Sequence, residues 1–392
     1  MSDSVMIVTG ESSGELYGSL LARSLHRRLP GLRITGIGGE RMKAAGVDLI
    51  SGISGAFGLT EVVSSLGALR ETFNRAVRAL RTDRPAILVL IDYPDFNLRL
   101  AAEAKKNNIG VLYYVSPQVW AWRKRRVKKI AALADRMAAV LPFEEAIYRE
   151  TGLETEFVGH PVRDEIEDLK STGRAEIKRS LGLEGGRPLL SLLPGSRHNE
   201  IGRLLPVVTA VVSEFGKEFG DFQFCVPFAP NTEMDRYAGE VEKLRRMGVA
   251  VNRGESLRTL AASELAVVAS GTASLQAVFL GVPIVVIYKL FPLTYWLGKK
   301  IVRVKHISLV NILSGCEVVR ELLQGDATAE NIMGEIRRII REDSYREGML
   351  ASFEKVNGMF AGKNASDRVA GIVMEMAGWE GLCAREQGES RV

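Results

Sequence analysis

Residues 5–15 read VMIVTGESSGE and indicate the class of fold to which the chain belongs. Val5 to Thr9 is predicted as a buried strand, Gly10 follows as a turn, and a helix is predicted through Arg28. An apolar strand that passes through a glycine turn into a helix opens a parallel α/β unit. The helix N-terminus offers N–H groups to an anion or a hydroxyl-rich ligand. Because the spacing is not GxGxxG, a dinucleotide is not favoured, and a tight turn with a serine cap is the alternative.

The same alternation of apolar strands and helices continues outward from this stretch. In the first half, further strands are predicted at residues 33–37, 86–91, 111–115 and 136–141. A polar stretch near 160–175 precedes a second series, with strands predicted near 189–193, 222–227, 249–251, 265–269 and 284–287. The pattern predicts an α/β fold of two doubly wound, Rossmann-like parallel-sheet domains that face a cleft. The predicted domains are residues 1–165 with C-terminal helices at about 345–392, and residues 166–344.

The composition is that of an ordinary globular protein. At 392 residues the chain is too long for one core, and 46% hydrophobic with 25% charged residues shows no fibrous or disordered bias. Three widely spaced cysteines without a CxxC motif predict reduced thiols. No segment approaches the roughly 18 apolar residues of a membrane span, and the N-terminus lacks the features of a secretory signal. We therefore expect a cytoplasmic protein that is able to lie against a membrane.

Two carboxylates follow the strand predicted at 86–91, in the segment IDYPDFN at residues 91–97. In open parallel sheets, ligands bind beyond the carboxyl ends of the strands. Asp92 is therefore expected to face the cleft and to act as a general base on a hydroxyl group. Asp95 stands three residues later in the proline-containing turn, where it either contributes to the site or caps the next helix.

Two loops of the second series have the composition of anion-binding sites. The segment LPGSRHNE at residues 193–200 runs from a strand through a Gly-Ser turn to Arg197, which combines N–H donors with a cation. It lacks the GK[ST] ending of a Walker loop, so hydrolysis of a nucleoside triphosphate is disfavoured. The segment SGTASLQ at residues 270–276 aims small residues and a helix N-terminus at the cleft. Together the two loops are able to hold a diphosphate without a metal.

The four histidines show no metal-ligand spacing. His160 lies at the predicted hinge and is a candidate for contact with the cleft, with a packing or turn role as the alternative. No zinc or other metal signature is present in the sequence, and no cofactor is predicted.

Tryptophans and a run of cations follow the strand predicted at 111–115. Residues 111–129 read VLYYVSPQVWAWRKRRVKK, with six cations in the seven residues from Arg123 to Lys129. A similar pairing recurs at Phe291 and Trp296, which precede further basic residues. Tryptophan favours the boundary between hydrocarbon and water, and cations are attracted to an anionic surface. A solvated helix with core tryptophans is the alternative for one such segment, whereas two predict a surface for lipid or nucleic acid.

Across nearly its full length the chain resembles the lipid-A-disaccharide synthases. The resemblance is carried by the segments TGESSGELYG, IDYPDFNLRL, YYVSPQVWAWRKRRVKKI, LPFE, FVGHP, LLPGSRHNEI, ASGTASLQ and ISLVNILSG followed by EVVRELLQ. It implies a GT-B glycosyltransferase of the lipid A pathway. The implied reaction transfers 2,3-diacylglucosamine from its UDP derivative to the 6-hydroxyl of 2,3-diacylglucosamine 1-phosphate. The implied products are UDP and the β-1,6-linked disaccharide 1-phosphate, formed by a single inverting displacement.

The resemblance also implies roles for individual residues. Asp92 matches the family's proposed base and Glu11 its acidic partner, while Arg197 matches a cation near the diphosphate. The other residues implied to bind substrate or nucleotide are Ser13, Gly14, Asp95, Gly195, Ser196, Glu200, Ser270, Gly271, Thr272, Gln276, Asn311 and Glu317. The residues implied to form an acceptor-side, membrane-facing surface are Trp120, Trp122, Arg123, Arg125, Arg126, Lys128, Lys129, Phe291 and Trp296.

The chain departs from the family pattern at two of its motifs. Glu15 stands where the family usually has Asp, and Gln276 stands where it usually has Glu. In related folds the second carboxylate accepts hydrogen bonds from the ribose hydroxyls of the nucleotide. Glutamine is able to accept one such bond through its carbonyl, but without the assistance of a charge.

The implied partners are a UDP-diacylglucosamine donor, an acylated glucosamine 1-phosphate acceptor and an anionic membrane surface, with the protein held peripherally at the inner membrane. The oligomeric state is open, with a homodimer among the alternatives. Another UDP-sugar enzyme of this architecture is one alternative function, either a 2-epimerase, whose soluble substrate does not explain the tryptophans, or a lipid II-type transferase. A non-catalytic lipid-binding scaffold is a second. A nucleic-acid binder would leave both anion loops unused, so no nucleic acid partner is predicted.

Overall fold

A computed structural model describes most of the chain. For residues 62–66 and 121–122 it describes the backbone alone. The described residues are 4–52, 62–122, 125–167, 169, 171–230, 232–290 and 305–380.

The first sheet is built around the opening strand. Its strands are β1 (Ser4–Val8), β2 (Arg33–Gly38), β3 (Asp48–Gly52), β4 (Ile87–Ile91), β5 (Gly110–Tyr114), β6 (Arg136–Ala139) and β7 (Glu154–Phe157). The strands lie in the order β3-β2-β1-β4-β5-β6-β7, and every described pairing is parallel. The helices of this part are α1 (Ser12–Arg28), α2 (Glu40–Ala44), α3 (Val62–Thr82), α4 (Pro94–Lys106), α5 (Val119–Trp122), α6 (Arg126–Leu133), α7 (Glu144–Tyr148) and α8 (Pro161–Glu167).

The second sheet repeats the arrangement with fewer strands. Its strands are β8 (Leu189–Leu193), β9 (Gln223–Phe228), β10 (Ala250–Arg253), β11 (Leu265–Ala269), β12 (Ile284–Tyr288) and β13 (Glu321–Leu323). They lie in the order β10-β9-β8-β11-β12-β13, again with parallel pairings. The accompanying helices are α9 (Arg174–Ser180), α10 (His198–Glu218), α11 (Ala238–Arg246), α12 (Ser256–Ala261), α13 (Thr272–Phe279), α14 (Leu309–Ser314), α15 (Ala329–Arg341) and α16 (Asp343–Met359). The last helix, α17 (Ala365–Ala377), packs on the first sheet instead.

The predicted α/β fold with two parallel sheets is confirmed. β1, β4, β8 and β11 are buried along their whole length, which explains their continuous apolar sequences. The strands predicted from those sequences agree with the structure to within two residues at each end. β3, β7 and β13 were not predicted.

Internal contacts divide the chain into two units. The first contains the described residues up to Asp164 and from Gly362 onward, and the second contains Glu165–Ala361. The chain thus re-enters the first unit at Gly362, later than the predicted residue 345. The reason is that α16 packs against α13, α14 and α15, all in the second unit.

Polar contacts fix α17 within the first unit. The side chain of Asp164 accepts hydrogen bonds from the main-chain N–H groups of Ala365 at 3.2 Å and Ser366 at 2.7 Å, at the start of this helix. Farther along, Glu375 forms an ion pair of 2.6 Å with Arg136 of β6. The helix also packs on α1, so the end of the described chain covers the sheet on which it began.

Each sheet contains one position at which the connections change direction. In the first unit β1 lies between β2 and β4, and in the second β8 lies between β9 and β11. The loops after β1 and β4 therefore leave their sheet as neighbours, and so do the loops after β8 and β11. Ligands of open parallel sheets bind at such topological switch points. The four loops with predicted chemistry occupy these positions, two in each unit.

Candidate active site

The loops after β1 and β4 lie against each other. The ring of Tyr93 packs on Gly10, since a Cβ atom built at Gly10 would lie 2.4 Å from Cγ of that ring. Burial raises the pKa of Tyr93, and the nearby carboxylates of Asp95 and Glu11 raise it further. The structure therefore brings Glu11 and Asp95, two predicted site residues, within electrostatic reach of one tyrosine hydroxyl.

Asp92 occupies an unusual turn at the end of β4. Asp92 and Tyr93 both have a φ of 45°, so two consecutive residues other than glycine adopt the left-handed conformation. The main-chain carbonyl of Asp92 accepts hydrogen bonds from the Tyr113 hydroxyl at 2.7 Å and from Asn97 Nδ2 at 2.8 Å. The side chain of Asp92 is half-buried. Strained residues of this kind cluster at functional sites, where the surrounding structure holds them in place.

An ion pair joins the basic segment at residues 123–129 to the loop that contains Asp92. Arg126, the first residue of α6, pairs with the carboxylate of Asp95. The Arg126 side chain is only 17% exposed, whereas that of Asp95 is 75% exposed. Because Asp95 is in the first turn of α4, the ion pair places the start of the basic helix beside the Asp92 turn.

Of the other residues predicted for the acceptor-side surface, Trp120 packs against a neighbouring ring and three cations are exposed to solvent. The Trp120 ring packs edge-on against Phe143, with ring centroids 5.4 Å apart. Three cations at the start of α6 are exposed, namely Arg125, Lys128 and Lys129. Arg123, Phe291 and Trp296 lie outside the described residues, as does the side chain of Trp122.

Glu144 is a buried carboxyl group beneath the same segment. It accepts hydrogen bonds from the main-chain N–H groups of Val140 at 3.2 Å and Leu141 at 3.0 Å. Burial raises its pKa to about 8, and the charge of Asp92 adds to the rise, while the backbone donors and the nearby Trp120 indole oppose it. The Trp120 Nε1 atom is buried and approaches Glu144 without a hydrogen bond of normal geometry. The carboxyl group therefore couples the tryptophan loop to the Asp92 turn.

The first loop is shaped by close packing and by a helix cap. Gly14 lies against Thr9, because a Cβ atom at Gly14 would lie 2.1 Å from Thr9 Oγ1. Glu15 Oε1 accepts a hydrogen bond of 2.8 Å from the main-chain N–H of Arg41, at the start of α2. Glu15 thus caps the start of α2, and Gly14 has a packing role. Ser13 is half-buried in the first turn of α1.

In the second unit, the Gly-Ser turn after β8 forms hydrogen bonds to the carboxylate of Glu200. Gly195 has a φ of 106°, a conformation that favours glycine. Glu200 is buried, and its carboxylate accepts hydrogen bonds of 3.4 Å from the main-chain N–H groups of Ser196 and Arg197. The Arg197 guanidinium lies 3.3 Å from the same carboxylate and is 55% exposed. Glu200 therefore orders the turn and the arginine, and these N–H donors point toward it.

The loop after β11 presents a helix N-terminus. Gly271 has a φ of 149° and precedes Thr272, the first residue of α13. The hydroxyl of Ser274 donates a hydrogen bond of 2.7 Å to the Gly271 carbonyl. Ser270 and Thr272 are half-buried, and Gly271 is exposed, with open space around its Cα atom. Within the described part of the chain, no atom lies within 4 Å of a Cβ atom built at Gly271, so this end of α13 is open on that side.

Gln276 lies beside the carboxyl group of Glu165, a residue of α8. Gln276 is buried, and its Nε2 atom donates a hydrogen bond of 3.4 Å to Glu165 Oε2 of α8. Glu165 was not predicted as a site residue, because its contact with Gln276 joins residues that are 111 positions apart in the sequence. A carboxyl group is thus present next to Gln276.

Asn311 and Glu317 lie around the loop that leads to β13. Asn311 is fully buried, and its Nδ2 donates to the Val319 carbonyl and to Glu321 Oε1, each at 2.8 Å. Its Oδ1 accepts from the N–H groups of Val318 at 2.8 Å and Val319 at 3.0 Å. Asn311 therefore shapes this loop with all of its polar atoms. Glu317 pairs with Arg320 at 3.2 Å on the surface.

His160 has the packing role that was the alternative in the sequence. Its ring packs edge-on against Tyr17 at 5.8 Å, and its Nδ1 accepts the N–H of Val162 at 3.3 Å. Burial lowers its pKa to about 3, so the ring is neutral at physiological pH.

Within the described ranges, no group of three or more His, Cys, Asp or Glu residues is arranged to hold a metal ion. Among the helices so described, none is long and apolar enough to cross a membrane.

Comparison with known proteins gives a family match over most of the chain. Residues 5–362 match the family described as Lipid-A-disaccharide synthetase. A lipid-A-disaccharide synthase from Syntrophus aciditrophicus (strain SB) is 41% identical over 374 residues, which cover 95% of this chain and 97% of that protein. One from Geobacter sulfurreducens is 40% identical over 376 residues, with the same coverage of each chain.

Solved structures share the fold at low sequence identity. A UDP-GlcNAc 2-epimerase from Neisseria meningitidis, bound to UDP-GlcNAc, has a TM-score of 0.67 at 12% identity and covers 95% of this chain and 100% of its own. The calicheamicin glycosyltransferase CalG4 has a TM-score of 0.61 at 15% identity, with 96% and 98% covered. These likenesses show the GT-B fold alone, whereas the sequence relatives extend over nearly the whole chain. The chain belongs to the lipid-A-disaccharide synthetase family.

Proposed function

We propose that this protein is an inverting glycosyltransferase of lipid A synthesis. It transfers 2,3-diacylglucosamine from UDP-2,3-diacylglucosamine to the 6-hydroxyl of 2,3-diacylglucosamine 1-phosphate. Family membership over residues 5–362 is the observation that carries the proposal. The geometry agrees with it, since carboxylates cluster at the switch point of one unit, and a fixed arginine and a helix N-terminus lie at that of the other.

In the proposed reaction, Asp92 is the general base. Its carboxylate takes the proton of the acceptor 6-hydroxyl as the oxygen forms a bond to C1 of the donor sugar. The bond between C1 and the diphosphate oxygen breaks in the same step, and UDP leaves with the electron pair. A single displacement inverts an α-linked donor into a β-1,6-linked disaccharide 1-phosphate. No covalent intermediate on the protein is required.

The neighbours of Asp92 divide into an acidic and a basic group. Glu11 lies near Tyr93 at the same switch point, and we assign it to hydrogen bonding with the sugar acceptor. Arg126 neutralises Asp95, so the second carboxylate of the IDYPDFN segment adds less repulsion to the site. The same arginine, with the exposed cations that follow it, provides positive charge for the acceptor's 1-phosphate.

On the donor side, two loops act on the diphosphate. Arg197 provides a cation, and its ion pair with Glu200, three residues later in the chain, restricts the position of its side chain. The N-terminus of α13 adds N–H donors and the positive end of a helix dipole. Both features stabilise the negative charge that develops on UDP as the sugar departs.

The exposed cations of α6 favour a membrane surface as the source of both lipid substrates. Arg125, Lys128 and Lys129 each add roughly 1 kcal/mol of attraction near an anionic bilayer at low salt. Such a surface would hold the protein peripherally at the cytoplasmic face of the inner membrane, where acylated sugars reside. The protein would then bind its substrates without extracting them far into water.

The substitution Asp92→Asn tests the proposed chemistry. It keeps the size of the side chain and removes its basicity, so we expect kcat to fall by about two to four orders of magnitude. UDP affinity, measured by isothermal titration calorimetry, should stay within about twofold, since Asp92 belongs to the other unit. Asp95→Asn makes the same change in an exposed residue three positions later, and we expect a much smaller loss. Near-normal turnover of Asp92→Asn would remove Asp92 as the base.

A further inference from the structure

The turn that carries Asp92 is strained and therefore needs support. Asp92 and Tyr93 both adopt the left-handed conformation, with φ of 45°. Residues other than glycine take this conformation singly and at a cost, and two in succession are rarer still. Such a conformation persists only where surrounding contacts over-determine it. The question is which side chains hold this turn.

Two buried side chains converge on one atom of the turn. The main-chain carbonyl of Asp92 accepts hydrogen bonds from the hydroxyl of Tyr113, at 2.7 Å, and from Nδ2 of Asn97, at 2.8 Å. Asn97 Nδ2 also donates to the carbonyl of Ile91 at 3.2 Å. The main-chain N–H of Asp92 donates to the Tyr114 carbonyl at 3.2 Å. The peptide groups on both sides of the Asp92 Cα atom are therefore fixed.

Asn97 is not the residue that packing alone would favour at this position. It is fully buried, and its Oδ1 atom has no hydrogen-bond partner among the described residues. A buried acceptor without a partner is unfavourable, and a leucine, which has the same branching, would avoid it. Unlike leucine, asparagine donates two hydrogen bonds from Nδ2, to the carbonyls of Ile91 and Asp92. The presence of asparagine at this buried position is explained if those hydrogen bonds stabilise the Asp92 turn.

We propose that Asn97 and Tyr113 are positioning residues, which hold the Asp92 carbonyl and so fix the direction in which the Asp92 carboxylate meets the acceptor hydroxyl. This inference rests on the proposed role of Asp92 as general base. Neither residue needs to touch substrate, because each acts through the main chain of Asp92. Loss of either donor lets the turn relax toward ordinary dihedral angles, and the carboxylate moves away from the hydroxyl.

Tyr113→Phe and Asn97→Leu test the proposal, since each removes the donation; the first loses one oxygen atom, and the second keeps the branched shape of the side chain. We expect each to lower kcat by about tenfold to a hundredfold and to leave KM for the UDP-sugar within about twofold. Thermal unfolding of Asn97→Leu should change little, because the substitution also removes the unsatisfied acceptor. Should Asn97→Leu fail to fold, Tyr113→Phe alone decides the matter, since it removes a single oxygen atom.

A matched control makes the same chemical change elsewhere. Tyr345→Phe removes a tyrosine hydroxyl that donates to Glu335 Oε1 at 2.5 Å, between α16 and α15 of the second unit. It should leave kcat unchanged. Equal losses of kcat in Tyr345→Phe and Tyr113→Phe would mean that the effect is general destabilisation, and this would overturn the proposal.

A double substitution separates this inference from the proposed function. In the Asp92→Asn background, Tyr113→Phe should reduce the residual rate by less than about twofold, because its effect passes through the lost carboxylate. Full additivity would overturn the positioning role. If Asp92→Asn loses turnover and Tyr113→Phe retains it, the inference fails and the proposed base stands. If Asp92→Asn retains turnover, the proposed base itself fails.

Discussion

At the scale of single residues, Glu144 lies beneath the tryptophan loop and within electrostatic reach of Asp92. Its carboxyl group is almost fully buried and is held by the N–H groups of Val140 and Leu141. Burial raises its pKa from 4.5 to about 8, so it is protonated at neutral pH. A neutral Glu144 does not add a negative charge beside Asp92.

The shifted pKa of Glu144 predicts a pH dependence of stability. Between pH 4.5 and about 8 the folded protein keeps a proton that the unfolded chain has lost, so the free energy of unfolding falls as pH rises through this window. Glu144→Gln removes the titration and keeps an acceptor oxygen. We expect the variant to gain stability relative to the native chain by up to about 1.4 kcal/mol per pH unit in the window, and nothing more above it.

Urea unfolding of both chains at several pH values measures this difference. A difference that stays constant from about pH 5 to about pH 9 would show that Glu144 does not carry the proton. The titration of His160 does not interfere, because it is common to both chains. Burial lowers the pKa of His160 from 6.5 to about 3, so its contribution to stability is lost as pH falls from about 6.5 to about 3. This range overlaps the lower part of the Glu144 window, and the contribution cancels in the difference between the two chains.

The sequence predicts candidate site residues at places where a buried strand ends in a loop. It gives no such signal for residues inside a helix or a strand. Asp92 follows β4 directly and Arg197 lies just beyond β8, so the strand pattern is sufficient to place them. Asn97 and Tyr113 carry no such signal. Tyr113 stands within an apolar strand and Asn97 within a helix, and their common target, the Asp92 carbonyl, exists only in the folded chain.

Motifs also predict residues whose immediate contacts turn out to be structural. Glu200 and Asn311 stand in segments that carry the resemblance to the family. The structure satisfies their polar atoms with nearby main-chain groups and with the side chains of Arg197 and Glu321. A motif records that a residue type is needed at a position. It does not distinguish a side chain that touches a ligand from one that shapes the loop around it.

At the scale of elements, the strands that could not be predicted lie at the edges of the sheets. β3 and β7 are the two edges of the first sheet, and β13 is one edge of the second. Central strands are covered on both faces and therefore read as continuous apolar runs. Edge strands are only partly covered: the residues of β3 are half-buried or exposed, and only Phe157 of β7 is buried. Their sequences thus lack the run on which the prediction depends.

The return of α17 to the first unit predicts a stability effect at a distance in sequence. Ile372 of α17 is buried, and the helix packs on α1. We expect Ile372→Ala to lower the free energy of unfolding by about 2–4 kcal/mol, as other large-to-small core substitutions do. Arg27→Ala removes the exposed ion pair with Asp367 between the same helices and should change little. Equal effects of the two substitutions in urea unfolding would contradict a packed interface.

At the scale of the whole molecule, the two units divide the proposed reaction. The switch point of the first unit collects Glu11, Asp92 and Asp95, and that of the second collects Arg197 and the start of α13. One set suits a hydroxyl that must lose a proton, and the other suits a diphosphate that must leave. The same architecture serves epimerases, so the fold alone does not select the reaction. Family membership over most of the chain does.

The most direct measurement is a product assay with both lipid substrates. The purified protein is incubated with UDP-2,3-diacylglucosamine and 2,3-diacylglucosamine 1-phosphate, and the products are identified by mass spectrometry. We predict UDP and the disaccharide 1-phosphate in equal amounts, with neither formed when the acceptor is left out. Release of UDP without disaccharide, or an isomerised UDP-sugar, would contradict glycosyl transfer and point to a hydrolase or an epimerase.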